Sequence, residues 1–418
     1  DAVELFESLP EMDSYRRELL LAVAYAARNE TAQSQAQIDQ ILTRYPDDVG
    51  AHLLVGQFYF ATGQLDDSRR YLERALELDP GNVRAREIIA RIDFRQDDYA
   101  AGQSALESVL ADDPENLSAL IMLGEMATLD NRADEAVQLL ERATEVAPGN
   151  ATAYALLARA RLAAGDAAGA RADADRAFEI APDSSIVLLA MGEVSFGAGR
   201  YREALGFFAE ATTRQPDLAV AWHRQARAQL ALGDRDAARV ALERALELQP
   251  NLLVASAQLA LLDSGEGNTD AALSRVRGLK TAFPDRAAPE VLEAEILMQT
   301  EDYAGAAAAF ERGYAIEPSA NVAIRTYQAY VLAEEENAGL LENWLASHPD
   351  DARVRAVYSE YKRRSEDDNA AIAELEKAVA SDPDNEVALN NLAYLLHQQG
   401  DARAEELARR AVALRPEL

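Results

Sequence analysis

The chain has no cysteine among its 418 residues. Disulfides, thiolate metal sites and a cysteine nucleophile are therefore excluded. Lysine is almost as scarce, with Lys280, Lys362 and Lys377 the only three. Acidic residues outnumber basic ones by 72 to 41, for a net charge of −31. Such a chain repels phosphate backbones, so no nucleic-acid partner is expected. No uninterrupted apolar run approaches the ~18–20 residues that a membrane-spanning helix needs. His52, His223, His348 and His397 never fall at metal-ligand spacing on one helix. Neither standard glycine-rich phosphate loop occurs. The run from Asp263 to Asp270 faintly resembles a calcium loop but lacks the distant glutamate in register, and Gly265, Gly267 and Asn268 suit a turn instead. No cofactor, metal or catalytic constellation emerges, so the chain does not read as an enzyme. Hydrophobic residues still make up 49%, ample material for a core.

What is present is a period. Prolines fall at 46, 80, 114, 148, 182, 216, 250, 284 and 318, every step 34 residues. The series continues at Pro349, Pro383 and Pro416, with steps of 31, 34 and 33, and only Pro10 and Pro289 stand outside it. Within one unit, Val49 to Gly56 and then Tyr59 carry apolar residues at helical spacing, Gly63 breaks the pattern, and Ser68, Leu72 and Ala75 resume it before Pro80. Each unit predicts a helix–turn–helix hairpin, because proline cannot donate to a helix ladder and ends the second helix.

Numbering each unit so that this proline is 32, position 8 is small: Ala22, Gly56, Ala90, Gly124, Ala158, Gly192, Ala226, Ala260, Ala294, Ser359 and Ala393. Position 20 is small as well, from Ser34, Ser68 and Gly102 to Ala371, and position 27 is mostly alanine. Small side chains there let two helix axes approach to about 8–10 Å. This pattern resembles the tetratricopeptide repeat, a family of 34-residue helical hairpins, over nearly the whole chain. The resemblance implies an all-α fold, a right-handed superhelical solenoid of about twelve units. Residues 1–14 read as the end of a preceding repeat, 15–320 as nine regular units, 321–351 as a short irregular unit and 352–418 as two more. The chain begins in mid-unit and ends just after a unit's proline, which suggests a piece of a longer protein.

The irregular unit puts Gln328 at position 8, Asn337 at position 20 and Trp344 at position 27. A tryptophan in a slot suited to alanine must push the helices apart or point elsewhere.

The resemblance implies a concave groove lined by first-helix positions 2, 5, 9 and 12. Position 9 alternates in sign through Arg91, Glu125, Arg159, Glu193 and Arg227. An inter-repeat ion-pair ladder and a polar stripe for a peptide both fit that pattern, and the ladder is favoured. Phe94, Phe196 and Leu230, with Ile186, Leu189 and Val220, add apolar groups on the same face. Exposed, they would receive an amphipathic helix or an extended segment; packed, they belong to the core between repeats. These eleven residues form the candidate partner site. The lysine–asparagine clamp of chaperone-tail binders has no counterpart here, and a position-6 asparagine ladder is reduced to Asn391.

The C-terminal units are also similar to the repeat lipoproteins of exosortase (PEP-CTERM) systems in Gram-negative bacteria. The segments that carry this are Trp344 to Asp351, Asp382 to Tyr394 and Gln398 to Ala404. That similarity implies an exported, periplasmic or outer-membrane-associated protein of exopolysaccharide and surface-protein sorting, with a cytoplasmic protein as the alternative. The expected function is a non-enzymatic scaffold holding a protein or peptide in its groove. A substrate-recruiting arm of a larger enzyme and a self-associating solenoid are the alternatives.

Overall fold

The computed structural model describes residues 2–7, 15–96 and 98–414. Pro416 and the whole segment between Glu7 and Tyr15 lie outside the described residues. The chain forms two compact bodies that divide between Pro216 and Asp217.

In the first body α1 (Ala2–Glu7) precedes six hairpins: α2 (Arg16–Ala27) with α3 (Thr31–Arg44), α4 (Val49–Ala61) with α5 (Leu65–Leu78), α6 (Val83–Arg95) with α7 (Tyr99–Asp112), α8 (Leu117–Leu129) with α9 (Ala133–Val146), α10 (Ala151–Ala163) with α11 (Ala167–Ile180), and α12 (Ser185–Gly197) with α13 (Tyr201–Arg214). The second body holds six more: α14 (Ala219–Ala231) with α15 (Arg235–Leu248), α16 (Leu253–Gly265) with α17 (Thr269–Ala282), α18 (Ala288–Gln299) with α19 (Tyr303–Ile316), α20 (Ala320–Leu332) with α21 (Gly339–Ser347), α22 (Ala352–Arg364) with α23 (Asp368–Ser381), and α24 (Glu386–Gln398) with α25 (Arg403–Leu414). Among the described residues there is no strand, and the fold is all-α, a solenoid of stacked hairpins.

Local chemistry explains the hairpins. Second helices end two residues before the periodic proline, as α5 does before Pro80 and α15 before Pro250. First helices then start on Asp or Asn side chains: Asp48, Asn82, Asn116 and Asn150 each accept from the backbone N–H three residues on, at 2.7 to 3.0 Å. Within the hairpin turn the chain passes through the left-handed region, at Gly63, Gly165, Gly199, Gly233, Gly267 and Gly400 with φ of 72–83°. Glu301, Glu334 and Glu366 take the same conformation without glycine's freedom.

The small positions mark where helices touch. A Cβ on Gly56 would lie 2.6 Å from Leu72 Cγ, and one on Gly124 2.5 Å from Leu140 Cγ. Position-20 serines add a polar tie: Ser34 Oγ donates to the Ala22 carbonyl at 2.8 Å and Ser68 Oγ to that of Gly56 at 2.7 Å. Neighbouring hairpins are also joined by ion pairs that the sequence pattern did not single out. Arg69 reaches the buried Asp93, 24 residues on, at 2.5 Å, and Arg239 reaches the buried Asp263 at the same separation, at 2.7 Å. Arg275 closes on Asp263 from the other side at 2.7 Å. The segment that resembled a calcium loop is thus the end of α16, the turn that follows and the start of α17, its first carboxylate held by two arginines.

The hairpin α20–α21 departs from the others in two ways. Its first helix starts at Ala320, capped by Ser319, two residues after Pro318 rather than three. The register therefore slips by one: Gln328 is exposed, and Tyr327, buried, takes the position that is small elsewhere. The bulk fits because α21 is short, nine residues against the usual fourteen of a second helix. Trp344 is half-buried, packed against the cluster that holds Tyr327 and Leu341. Its ring stacks on His348 with centroids 3.8 Å apart, and its Nε1 donates to Asp351 Oδ2 at 2.9 Å, while Asp351 Oδ1 caps α22.

Candidate functional site

A hollow of about 650 Å³ in the first body lies where α4, α6 and α8 present their faces. Helical spacing builds it. Leu117, Ile121, Glu125 and Leu129 form one i, i+4 stripe of α8, and Ser118, Met122 and Met126 form the adjacent one. Arg91, Phe94 and Arg95 face them from the last turns of α6, Phe60 closes the end of α4, and Tyr99 opens α7. Phe94 and Tyr99 stack with centroids 6.3 Å apart. The Phe94 ring occupies space that Gly102 leaves open, because a Cβ there would sit 2.4 Å from its Cε1. At the rim, Leu129 keeps 71% of its surface exposed.

The electrostatics of this hollow differ from the ladder anticipated at position 9. Arg159 and Glu193 do pair, at 3.0 Å, both half-buried. Among the described residues, however, neither Arg91 nor Glu125 enters an ion pair, so the ladder is not continuous. Arg91 instead lies over the Phe60 ring at 5.2 Å from its centroid, and Arg95, one turn on, over the same ring at 4.3 Å. The acids of α6 are engaged elsewhere, Asp93 by Arg69 and Glu87 by Arg84. A short reach to a ring on the preceding first helix competes successfully with a reach across the hollow to Glu125.

Of the eleven residues singled out from sequence, Arg91, Phe94 and Glu125 line this hollow together. Ile186 is half-buried against Leu156, Leu157 and Ala155 of α10, so it belongs largely to the core. Leu189 is half-buried on α12, and Phe196 tilts against Tyr201 at 5.0 Å. Val220, Arg227 and Leu230 lie in the second body, all half-buried, with Leu230 packed beside Leu242 and Leu259. Arg95, Tyr99, Met126 and Leu129 were not singled out. For Leu129 the available signal was the α8 stripe through Leu117, Ile121 and Glu125. A smaller hollow of about 360 Å³ in the second body is lined by Glu360, Arg363, Asn391 and Tyr394 among others. Among the described residues no cluster of His, Asp or Glu could hold a metal ion, and no helix is long and apolar enough to cross a membrane.

Three family profiles described as tetratricopeptide repeat match the chain, one over residues 93–160, 127–194 and 195–262, another over 19–83 and a third over 374–406. The chain is built of tetratricopeptide repeats. No curated protein matches it significantly. Among solved structures, it is similar to the yeast Tom70 at 16% identity and a TM-score of 0.55, over 95% of this chain and 98% of that one. The human IFIT1 dimer with m7Gppp-AAAA is similar at 16% identity and a TM-score of 0.58, over 91% and 92% of the two chains. These likenesses are of fold. Tetratricopeptide-repeat proteins are generally protein-interaction scaffolds, and the repeat surface here carries an open, partly apolar hollow of the kind such binding uses.

Proposed function

We propose that this protein is a non-catalytic scaffold that binds a protein or peptide partner on its first helices, with the α4–α6–α8 hollow as the principal contact. The observation that carries this is an unfilled, mostly apolar recess of about 650 Å³ lined by α4, α6 and α8. Its setting is bacterial envelope machinery for exopolysaccharide production or surface-protein sorting, a reading supported by the C-terminal similarity described above. The IFIT1 structure, solved with an RNA ligand, shows that this repeat fold is compatible with nucleic acid. For this chain the argument against such a ligand is its net charge of −31.

The test is affinity capture from envelope and cytosolic extracts of the source organism. Wild type, Leu129→Asp and Leu189→Asp would be run side by side. A partner captured from the envelope by wild type and by Leu189→Asp, but lost by Leu129→Asp, is the expected result. Loss by Leu189→Asp alone would move the contact to α12. Equal capture by all three would refute binding on this face and turn attention to self-association, which light scattering over a concentration series reads directly.

A further inference from the structure

The charges around the hollow are sorted by wall. Arg91 and Arg95 stand one turn apart on α6, both exposed, and both guanidinium groups lie over the single Phe60 ring. Neither meets a carboxylate among the described residues, although the chain carries 72 acidic side chains. Two like charges held on one ring repel each other. A contact with a ring face uses no N–H donor, so the guanidinium groups keep donors that a carboxylate can engage. Glu125, on the opposite wall, is equally unpaired among the described residues. Between these walls the floor is apolar: Phe94, Met122 and Met126.

We infer that the hollow selects a peptide segment whose apolar side chain enters between α6 and α8 and whose adjacent carboxylate bridges Arg91 and Arg95. This rests on the hollow being the partner site, as proposed above, and adds the chemistry of what is chosen. The carboxylate supplies the counter-charge that the arginine pair does not meet among the described residues. The apolar anchor covers the methionines, whose flexible thioethers adapt to an aliphatic or aromatic side chain. Glu125 selects against a second acid on the α8 side and favours a cation there. A net charge of −31 opposes acidic partners at long range, so recognition depends on the short-range fork and on the anchor together.

The chain's five methionines make the test direct. The full chain, labelled with 13C at the methionine methyls, is titrated with acetyl-Asp-Ala-Phe-Ala-Lys-amide and with its Asn-for-Asp analogue. Met122 and Met126 are assigned by single substitution to leucine. The Asp peptide should shift Met122 and Met126 and leave Met191 and Met298 unmoved. The Asn analogue should bind about fivefold more weakly, the scale of partly exposed charge-assisted hydrogen bonds. In the Arg91→Gln/Arg95→Gln double variant the two peptides should bind equally, with helicity unchanged. Equal binding of the two peptides to wild type would overturn the carboxylate rule while leaving the hollow as a binding site. No shift at Met122 or Met126 from either peptide would overturn both. Shifts at Met122 and Met126 caused instead by a short oligoadenylate, and not by the peptides, would overturn the assignment to protein.

Discussion

Gly192 is a sharp test of how the hairpins pack. A Cβ placed on it would lie 2.3 Å from Cε1 of Phe208, whose ring is 1% exposed and has nowhere to retreat. Comfortable carbon contacts need about 3.5–4.0 Å, so α12 and α13 must separate or the ring must leave its rotamer. Overpacking of this kind costs about 1–3 kcal/mol, and an enclosed ring belongs at the upper end. Gly192→Ala also gains about 1 kcal/mol of helix propensity. The expected net loss is about 2 kcal/mol. Gly206, on α13, supplies the control, because a Cβ there meets nothing within 4 Å. Gly206→Ala should therefore stabilise the same hairpin by about 0.5–1 kcal/mol. Solenoids unfold by segments, so the assay is native-state hydrogen exchange on the amides of α12 and α13. A difference of about 3 kcal/mol between the variants is roughly a hundredfold in exchange rate. Phe208→Leu should rescue Gly192→Ala, since α14–α15 accommodates Ala226 beside Leu242 in the same core. Equal protection in Gly192→Ala and Gly206→Ala would refute the close contact at position 8 and the register built on it.

Two further outcomes follow from buried charge. Burial pushes the Asp263 carboxyl up, but hydrogen bonds and charge from Arg275 and Arg239 outweigh it and hold the group below its ordinary value. Its stabilisation is therefore present above about pH 4 and lost as pH falls through the folded-state value. Asp263→Asn should cost the second body about 2–3 kcal/mol near pH 7, because it strands Arg275, and the gap from wild type should close in acid denaturation followed by circular dichroism. His223 is pushed down to about 4, first by burial and then by Arg224 and Arg227. The folded protein then binds fewer protons than the unfolded chain between about pH 6.5 and 4, so stability falls as pH drops through that window. His223→Gln should flatten the change in urea midpoint between pH 7 and pH 5, and an unchanged slope would show that the imidazole is not the source.

Much of the fold was legible because its signals are local and repeated. A proline at a 34-residue period and a glycine at the turn each act within a few bonds, and they recur at intervals no helix can absorb. Small residues at position 8 then showed which faces meet. The same reasoning failed at Gln328. It counted residues from Pro318 and took the connection to be of standard length, whereas α20 starts one residue early and brings Tyr327 inward. At position 9 the alternating signs suggested a ladder, and Arg159 and Glu193 do form one rung of it, but among the described residues Arg91 and Glu125 enter no ion pair. Arg91 had a nearer partner in Phe60, and that partner lies 31 residues back along the chain, outside any pattern of like positions.

The sequence by itself determined that this chain is a stack of helical hairpins and that cysteine chemistry has no part in it. Those conclusions depend on backbone hydrogen bonding, capping and helical periodicity, which a residue and its near neighbours decide. Only the tertiary structure decided which side chains fill the space between successive hairpins and where they leave it empty. The α4–α6–α8 hollow is such a remainder: it exists because Phe60, Phe94, Met122 and Met126 from different repeats do not together fill the gap their helices enclose, and no single repeat contains that sum.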